Sequence, residues 1–303
     1  MPSTARLTSL PPVVAARERL AAELFARVAG AEGSDRARRV HYAEGPRWFD
    51  EGRPIRQVHA DASMFVGGLR ALLLQSLHPL AMAGVAGHSG FRGDPWGRLQ
   101  RTSHFLAATT FGTVEDAEKM VARIRGIHNR VSGTAPDGRA YSASDPHLLK
   151  WVHLAEVDSF LAAHQRYGAQ PLDADGRDGY VADTARVAAA LGVIEPPSTE
   201  DELHLQLASY RAELQGTSQA RDAARFLLLQ PPLPIAARAP YALLGAAAVG
   251  LLPRWARWPL RLPYLPIAEA TVVRVAGAGM VRTIRWAMTA HQPVRSEDDE
   301  LSA

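Results

Sequence analysis

Apolar residues recur every three to four positions along most of the chain, interrupted by Pro and Gly clusters, and almost nowhere alternate with polar ones. This periodicity predicts helices at about 12–30, 61–77, 79–87, 96–110, 114–131, 146–168, 178–192, 199–215, 218–229, 239–252 and 266–289. Thr113 followed by Asp116 resembles a capping box opening one of them, with Gly133 placed to close it. Asp145 before Pro146 makes an N-cap with proline at the first helical position. Neither the Pro231, Pro232 and Pro234 cluster nor Pro259, Pro263 and Pro266 is flanked by a polar linker. The expected architecture is therefore all-α: one large helical domain over 41–290, a helical N-terminal extension over 1–40, and an acidic, mobile tail over 291–303.

Two histidines fall on apolar stripes. In the 114–131 helix, Ala117, Met120, Val121, Ile124, Ile127 and Val131 share one side, and His128 lies among them. In the next helix His153 shares a face with Leu149, Glu156 and Phe160. An inward imidazole is more often a hydrogen-bonded core residue than a ligand, so these positions alone leave both roles open. A third element is the 96–110 helix, where Arg98, Arg101, Thr102 and Phe105 are stacked at helical spacing. Two guanidiniums and a hydroxyl suit an anionic ligand group, while a solvated basic face has the same spacing. His78-Pro79 reads as a helix stop.

Composition removes several alternatives. None of the 303 residues is Cys, which excludes disulfides, thiolate-held metals and covalently attached haem. The net charge is +3, and nearly all basic residues are Arg, the lysines being only Lys119 and Lys150. No basic run is interleaved with aromatics, so no nucleic-acid partner is expected. No secretory signal is visible, and a cytoplasmic protein is expected. The apolar stretch from Pro240 to Leu252, flanked by Arg254, Trp255, Arg257 and Trp258, is too short to span a bilayer. A buried helix is the favoured reading of 240–258, and peripheral membrane contact the alternative.

The zincin, P-loop, nucleophile-elbow and dinucleotide-binding motifs are absent, and no His follows a Glu at the Glu-x-x-His spacing of di-iron bundles. For a helical chain with inward histidines, no cysteine and an Arg/Thr stripe, His-ligated haem is the most economical cofactor. At this point a set of ordered motifs acquires meaning: Leu72-Leu73-Leu74-Gln75 with His78-Pro79; His88-Ser89-x-Phe91-x-x-Asp94-Pro95-x-x-Arg98-x-x-Arg101-Thr102; Ile127-His128-x-x-Val131-x-Gly133; and Tyr141-x-Ala143-x-Asp145-Pro146-x-Leu148-Leu149-x-Trp151-Val152-His153. Together they resemble the DUF2236 family, the catalytic domain shared by MpaB-type oxygenases and latex-clearing rubber oxygenases, over roughly residues 40–290.

The resemblance implies a globin-reminiscent helical fold holding one non-covalent haem b. By analogy with the rubber oxygenases it makes His128 the proximal iron ligand and places Arg98 and Thr102 near the haem. Arg101 stands where those enzymes carry a lysine that caps the distal iron. A guanidinium stays protonated and ligates iron poorly, and the positions near the expected catalytic acid are apolar, such as Met82, so polyisoprene is not the expected substrate. The expected activity is that of a haem b-dependent, O2-using oxygenase acting on a small apolar or amphipathic organic substrate. Arg98, Arg101 and Thr102 would be catalytic; His128, Arg98, Thr102, Phe105 and His153 would bind the cofactor, with His128 on the metal. The alternatives are a haem enzyme of non-oxidative chemistry, such as isomerisation or dehydration, and a non-enzymatic haem sensor or carrier.

Overall fold

The computed structural model describes residues 12–30, 33–88 and 92–289. Its axis is α8 (Pro146–Tyr167), buried on nearly every side through Trp151, Leu154, Ala155, Val157, Phe160, Leu161 and Ala163. The expected cap forms: Asp145 accepts a hydrogen bond from the His147 backbone N–H at 2.9 Å, and Pro146 occupies the first turn. α4 (Met64–Gln75) lies along α8. The approach is so close that a Cβ at Gly67 would meet Phe160 Cδ1 at 2.7 Å. Within this contact Arg70 pairs with Asp158 at 2.7 Å and donates to Ser159 Oγ at 2.7 Å. Removing one partner of such a buried pair costs about 3–5 kcal/mol, because the other charge is left without compensation.

The remaining helices wrap this pair. α3 (Pro54–Ala60), α9 (Ala174–Leu191) and α10 (Glu200–Ser209) cover one side, and α12 (Ile235–Leu251) covers another. α5 (Pro79–His88) and α11 (Ser218–Leu229) close over the end of α4. α6 (Pro95–Phe111) and α7 (Val114–His128) are joined by two residues and pack on each other, so they form an antiparallel hairpin. α1 (Pro12–Ala29) and α2 (Gly33–Tyr42) lie against α6, and α13 (Arg254–Arg257) precedes the closing segment. That segment runs from α14 (Pro266–Ala268) through a π turn, Glu269–Val273, into α15 (Arg274–Met288). α1 also packs on α15, where Arg17 donates to the Trp286 carbonyl at 2.9 Å, so the described part of the N-terminal extension belongs to the same body. The tail over 291–303 lies outside the described residues.

Several boundaries differ from the sequence reading, each for a local reason. Gly133 does not close α7, which ends at His128 with Asn129 as its C-cap. Gly133 instead sits in β1 (Ser132–Thr134), opposite Tyr141 of β2 (Ala140–Ser142), and a Cβ there would come within 2.6 Å of the Tyr141 hydroxyl. This hairpin is the only sheet among the described residues. α2 and α3 escaped prediction because they are short and rich in polar residues. α12 begins before Pro240, which the chain tolerates because both Pro240 and Ala236 face solvent. The Thr113 cap formed as expected, accepting from the Asp116 N–H at 3.2 Å.

The 240–258 segment is part of the core on one side: Leu244, Ala247, Ala248 and Ala256 are buried, and Trp255 stacks under the Arg211 guanidinium at 4.3 Å. Trp258 stands 88% exposed. No single helix among the described residues is long and apolar enough to cross a membrane; the bent α4–α5 pair passes on length and composition.

Candidate functional site

Arg98, near the start of α6, and His128, at the end of α7, are each about fifteen residues from the hairpin turn, so the antiparallel packing brings them to the same end. The Arg98 guanidinium is largely enclosed, and burial, helped by Arg101, lowers its pKa. The stripe read from the sequence splits here. Phe105 packs on the main core. Arg101 and Thr102 are exposed, and Arg101 turns back to Asp94, the N-cap of α6, at 3.1 Å. Residues 89–91, within the preceding motif, lie outside the described residues.

His128 is half-buried, and burial lowers its pKa, so the ring is neutral at physiological pH. Its Nδ1 is buried without a partner, while Nε2 is neither buried nor hydrogen-bonded to any described residue. A neutral imidazole with an available lone pair is the donor that haem iron requires. A desolvated guanidinium such as that of Arg98 suits a carboxylate such as a haem propionate. These two residues therefore fit the group, whereas Arg101 and Thr102 face solvent.

A second group of enclosed polar side chains lies on α8. The chain after His128 is tied to the start of that helix by the Ala143 N–H to Val131 carbonyl bond of 2.8 Å. The last turns of α7 and α9 meet where Arg125 donates to the Ala190 carbonyl at 3.0 Å, and Leu149 of α8 lies under Gly192. His153 and Glu156 share this face of α8 with Leu149 and are deeply enclosed. Burial, with the nearby Lys150 charge, brings the His153 pKa down to about 4, and its Nε2 has no partner. Burial pushes the Glu156 carboxyl up to about 7, and no hydrogen bond or ion pair to a described residue offsets that.

Beneath Glu156 runs a polar chain from α6 through α3 to α9. His59 Nδ1 is 2.8 Å from Thr110 Oγ1, and its Nε2 is 3.3 Å from the Tyr180 hydroxyl. Burial lowers the His59 pKa to about 3, so the ring is neutral, and burial plus the Glu156 charge raises that of Tyr180. Sequence reasoning placed Glu156 beside His153 but assigned it no role. His59 and Tyr180 were missed altogether, since nothing along the chain connects α3 with α9.

Two cavities among the described residues lie elsewhere. One of about 520 Å³ is bounded by Trp48, Val121, Arg125 and Ala190, between α7 and the end of α9, and one of about 280 Å³ by Arg70, Asp158, His204 and Trp255. Neither is lined by His128, His153 or Glu156.

Comparisons with curated proteins and with solved structures give no match. The family model described as "ER-bound oxygenase mpaB/B'/Rubber oxygenase, catalytic domain" matches residues 56–286, a span that contains every residue of the site described above. The chain belongs to this oxygenase family.

Proposed function

We propose that this protein is a haem b-dependent oxygenase that uses O2 on a small apolar or amphipathic organic substrate, with His128 as the iron ligand. The observation that carries the proposal is the His128 imidazole, neutral and with an available Nε2, at the end of the hairpin where Arg98 is desolvated. Family membership supplies the oxygenase class. Haem, when bound, supplies the iron at which O2 is activated.

The protein's own residues do the rest. Arg98 would hold a propionate or another anionic oxygen by charge-assisted hydrogen bonds, and Thr102 would add a hydroxyl. Phe105 and the apolar face of α4 exclude water from the substrate side. His153 stands one turn from Glu156 as an unprotonated second imidazole. Glu156 exchanges its proton near neutral pH, which suits it to act as general acid or base toward the substrate. The His59–Thr110–Tyr180 chain fixes the floor beneath it.

The test is haem content. His128→Ala is expected to lose haem and its Soret band while keeping the far-ultraviolet circular dichroism of the parent; full haem retention by this variant overturns the assignment. A second reading, a haem enzyme of non-oxidative chemistry, is favoured by the same Glu156 and His153, two enclosed groups on one face of α8 whose acid–base chemistry needs no oxidant. O2 concentration unchanged during turnover selects it over the oxygenase.

A further inference from the structure

Where α4 stops, α8 starts and the chain leaves α10, three residues converge that the haem site does not use. His78 lies between α4 and α5, His147 in the first turn of α8, and Glu213 just after the 3-10 turn Tyr210–Ala212. One ligand atom from each lies within 4.8 Å of the other two. His147 Nε2 is 2.9 Å from Glu213 Oε2 and 3.0 Å from Oε1, and His78 Nε2 is 3.4 Å from Oε2. Donors bound at about 2.0–2.1 Å on tetrahedral zinc are roughly 3.3 Å apart, so these separations, which hydrogen bonds also show, can accommodate a metal ion with little movement.

Proton accounting points the same way. The Tyr210 hydroxyl has one proton and lies 2.9 Å from the His147 carbonyl, which accepts it. His147 Nδ1, 3.2 Å from the same hydroxyl oxygen, is then the N–H that donates to it. That tautomer turns a bare Nε2 lone pair toward two carboxylate oxygens, an arrangement that either a proton or a metal ion between them relieves. A proton on His147 would serve that pair but not His78. The His78 side chain is 1% exposed, and neither of its ring nitrogens has a hydrogen-bond partner. A buried imidazole with both nitrogens unsatisfied calls for an explanation, and an ion at Nε2 provides one.

We propose that His78, His147 and Glu213 bind a divalent transition-metal ion, zinc being the best match to the N,N,O donor set, at a site separate from that proposed for haem. The supports are already in place. Tyr210 orients His147 through Nδ1, the outer-shell contact common to metal-bound histidines. The Gln215 N–H to Leu77 carbonyl bond of 2.8 Å holds the Glu213 segment against the His78 turn. Arg139, whose charge reaches Glu213, is itself paired with Asp137 at 2.7 Å. His147 and Glu213 are 51% and 40% exposed, so the ion enters from solvent and keeps a coordination position for water or a ligand. Once bound, it links three chain segments that the fold alone holds by noncovalent contacts.

The experiment uses the full chain, stripped with chelator, and titrates it with zinc chloride by calorimetry and with cobalt chloride by visible absorption. Expected are one equivalent of zinc, intense tetrahedral cobalt bands between about 500 and 700 nm, and a zinc-dependent rise in melting temperature. His147→Ala and Glu213→Gln, both at half-exposed positions, should each weaken zinc binding by at least about 10²-fold, with Soret absorbance after haem loading unchanged. His78→Ala is expected to lose binding too, but because His78 is buried the two half-exposed variants decide the outcome. Zinc binding equal in the parent and both half-exposed variants, or no stoichiometric zinc in the parent, overturns the proposal and leaves His147 and Glu213 as an ordinary ion pair. Because the readout is zinc and cobalt, failure of the haem assignment leaves this result standing, and the converse holds.

Discussion

Helix α8 carries two sites made from the same side-chain types, and they solve the problem of charge in opposite ways. His147 sits in its first turn and meets a carboxylate, Glu213, at hydrogen-bonding distance where both are half-exposed. Six residues on, about 9 Å along the axis and on another face, His153 and Glu156 are enclosed and unpaired. Enclosure without partners drives both groups toward their neutral forms, the histidine pKa falling and the glutamate pKa rising. Pairing near water keeps the carboxylate charged and its lone pairs available to a cation. The enclosed arrangement suits proton transfer beside an apolar substrate, and the paired, half-exposed one suits a hydrophilic ion.

The sharpest way to break this comparison is to exchange the losses. His128→Ala should abolish the Soret band and leave zinc binding intact, whereas Glu213→Gln should do the reverse; a variant that loses both would show that the two sites are one. Next in size, Glu156→Gln should lower turnover by about 10²–10⁴-fold, the range for removing a general acid or base, with haem content unchanged. Turnover equal to the parent would relegate Glu156 to the enclosing wall.

How much of this was legible along the chain depends on the range of the interaction. The Thr113 and Asp145 caps and the course of α8 were readable because each depends on residues within one or two turns. His128 was legible as an inward residue, and its chemistry came from the resemblance. The Glu156 shift was not legible, because its desolvation comes from the enclosing fold, including α3 and α9, which are remote in sequence. The second cluster was hidden more deeply. His78 reads as a helix stop, and it is one, while Glu213 is 66 residues from His147 in an unremarkable loop. The Arg98–Phe105 stripe shows a different limit: helical spacing left a ligand face and a solvated face both open, and in the fold Arg98 and Phe105 turn inward while Arg101 and Thr102 are exposed.

A smaller effect concerns stability. The raised Glu156 pKa means the folded state binds more protons than the unfolded one between about pH 4.5 and 7, so this group costs stability as pH rises through that window. Glu156→Gln should therefore stabilise the protein at pH 8 by on the order of 2–3 kcal/mol and leave it unchanged near pH 4, measured by urea unfolding. His59 and His153 act with the opposite sign. Their depressed pKa values contribute stability that is fully present above pH 6.5 and lost as pH falls toward about 4 and below. A gain from Glu156→Gln that is the same at both pH values would contradict the desolvation account.

Smallest of all, Arg101→Ala should leave the melting temperature and haem content within error, because its ion pair with Asp94 is exposed at both ends. A clear loss of haem would move Arg101 into the cofactor site.

The central claim is that His128 holds a haem. The direct measurement is the absorption spectrum of the full chain, parent and His128→Ala, after loading with haem and removal of the excess. With His128 as the iron ligand, the parent shows a Soret band at one haem per chain and the variant none. No Soret band in the parent, or equal bands in both, would contradict that claim.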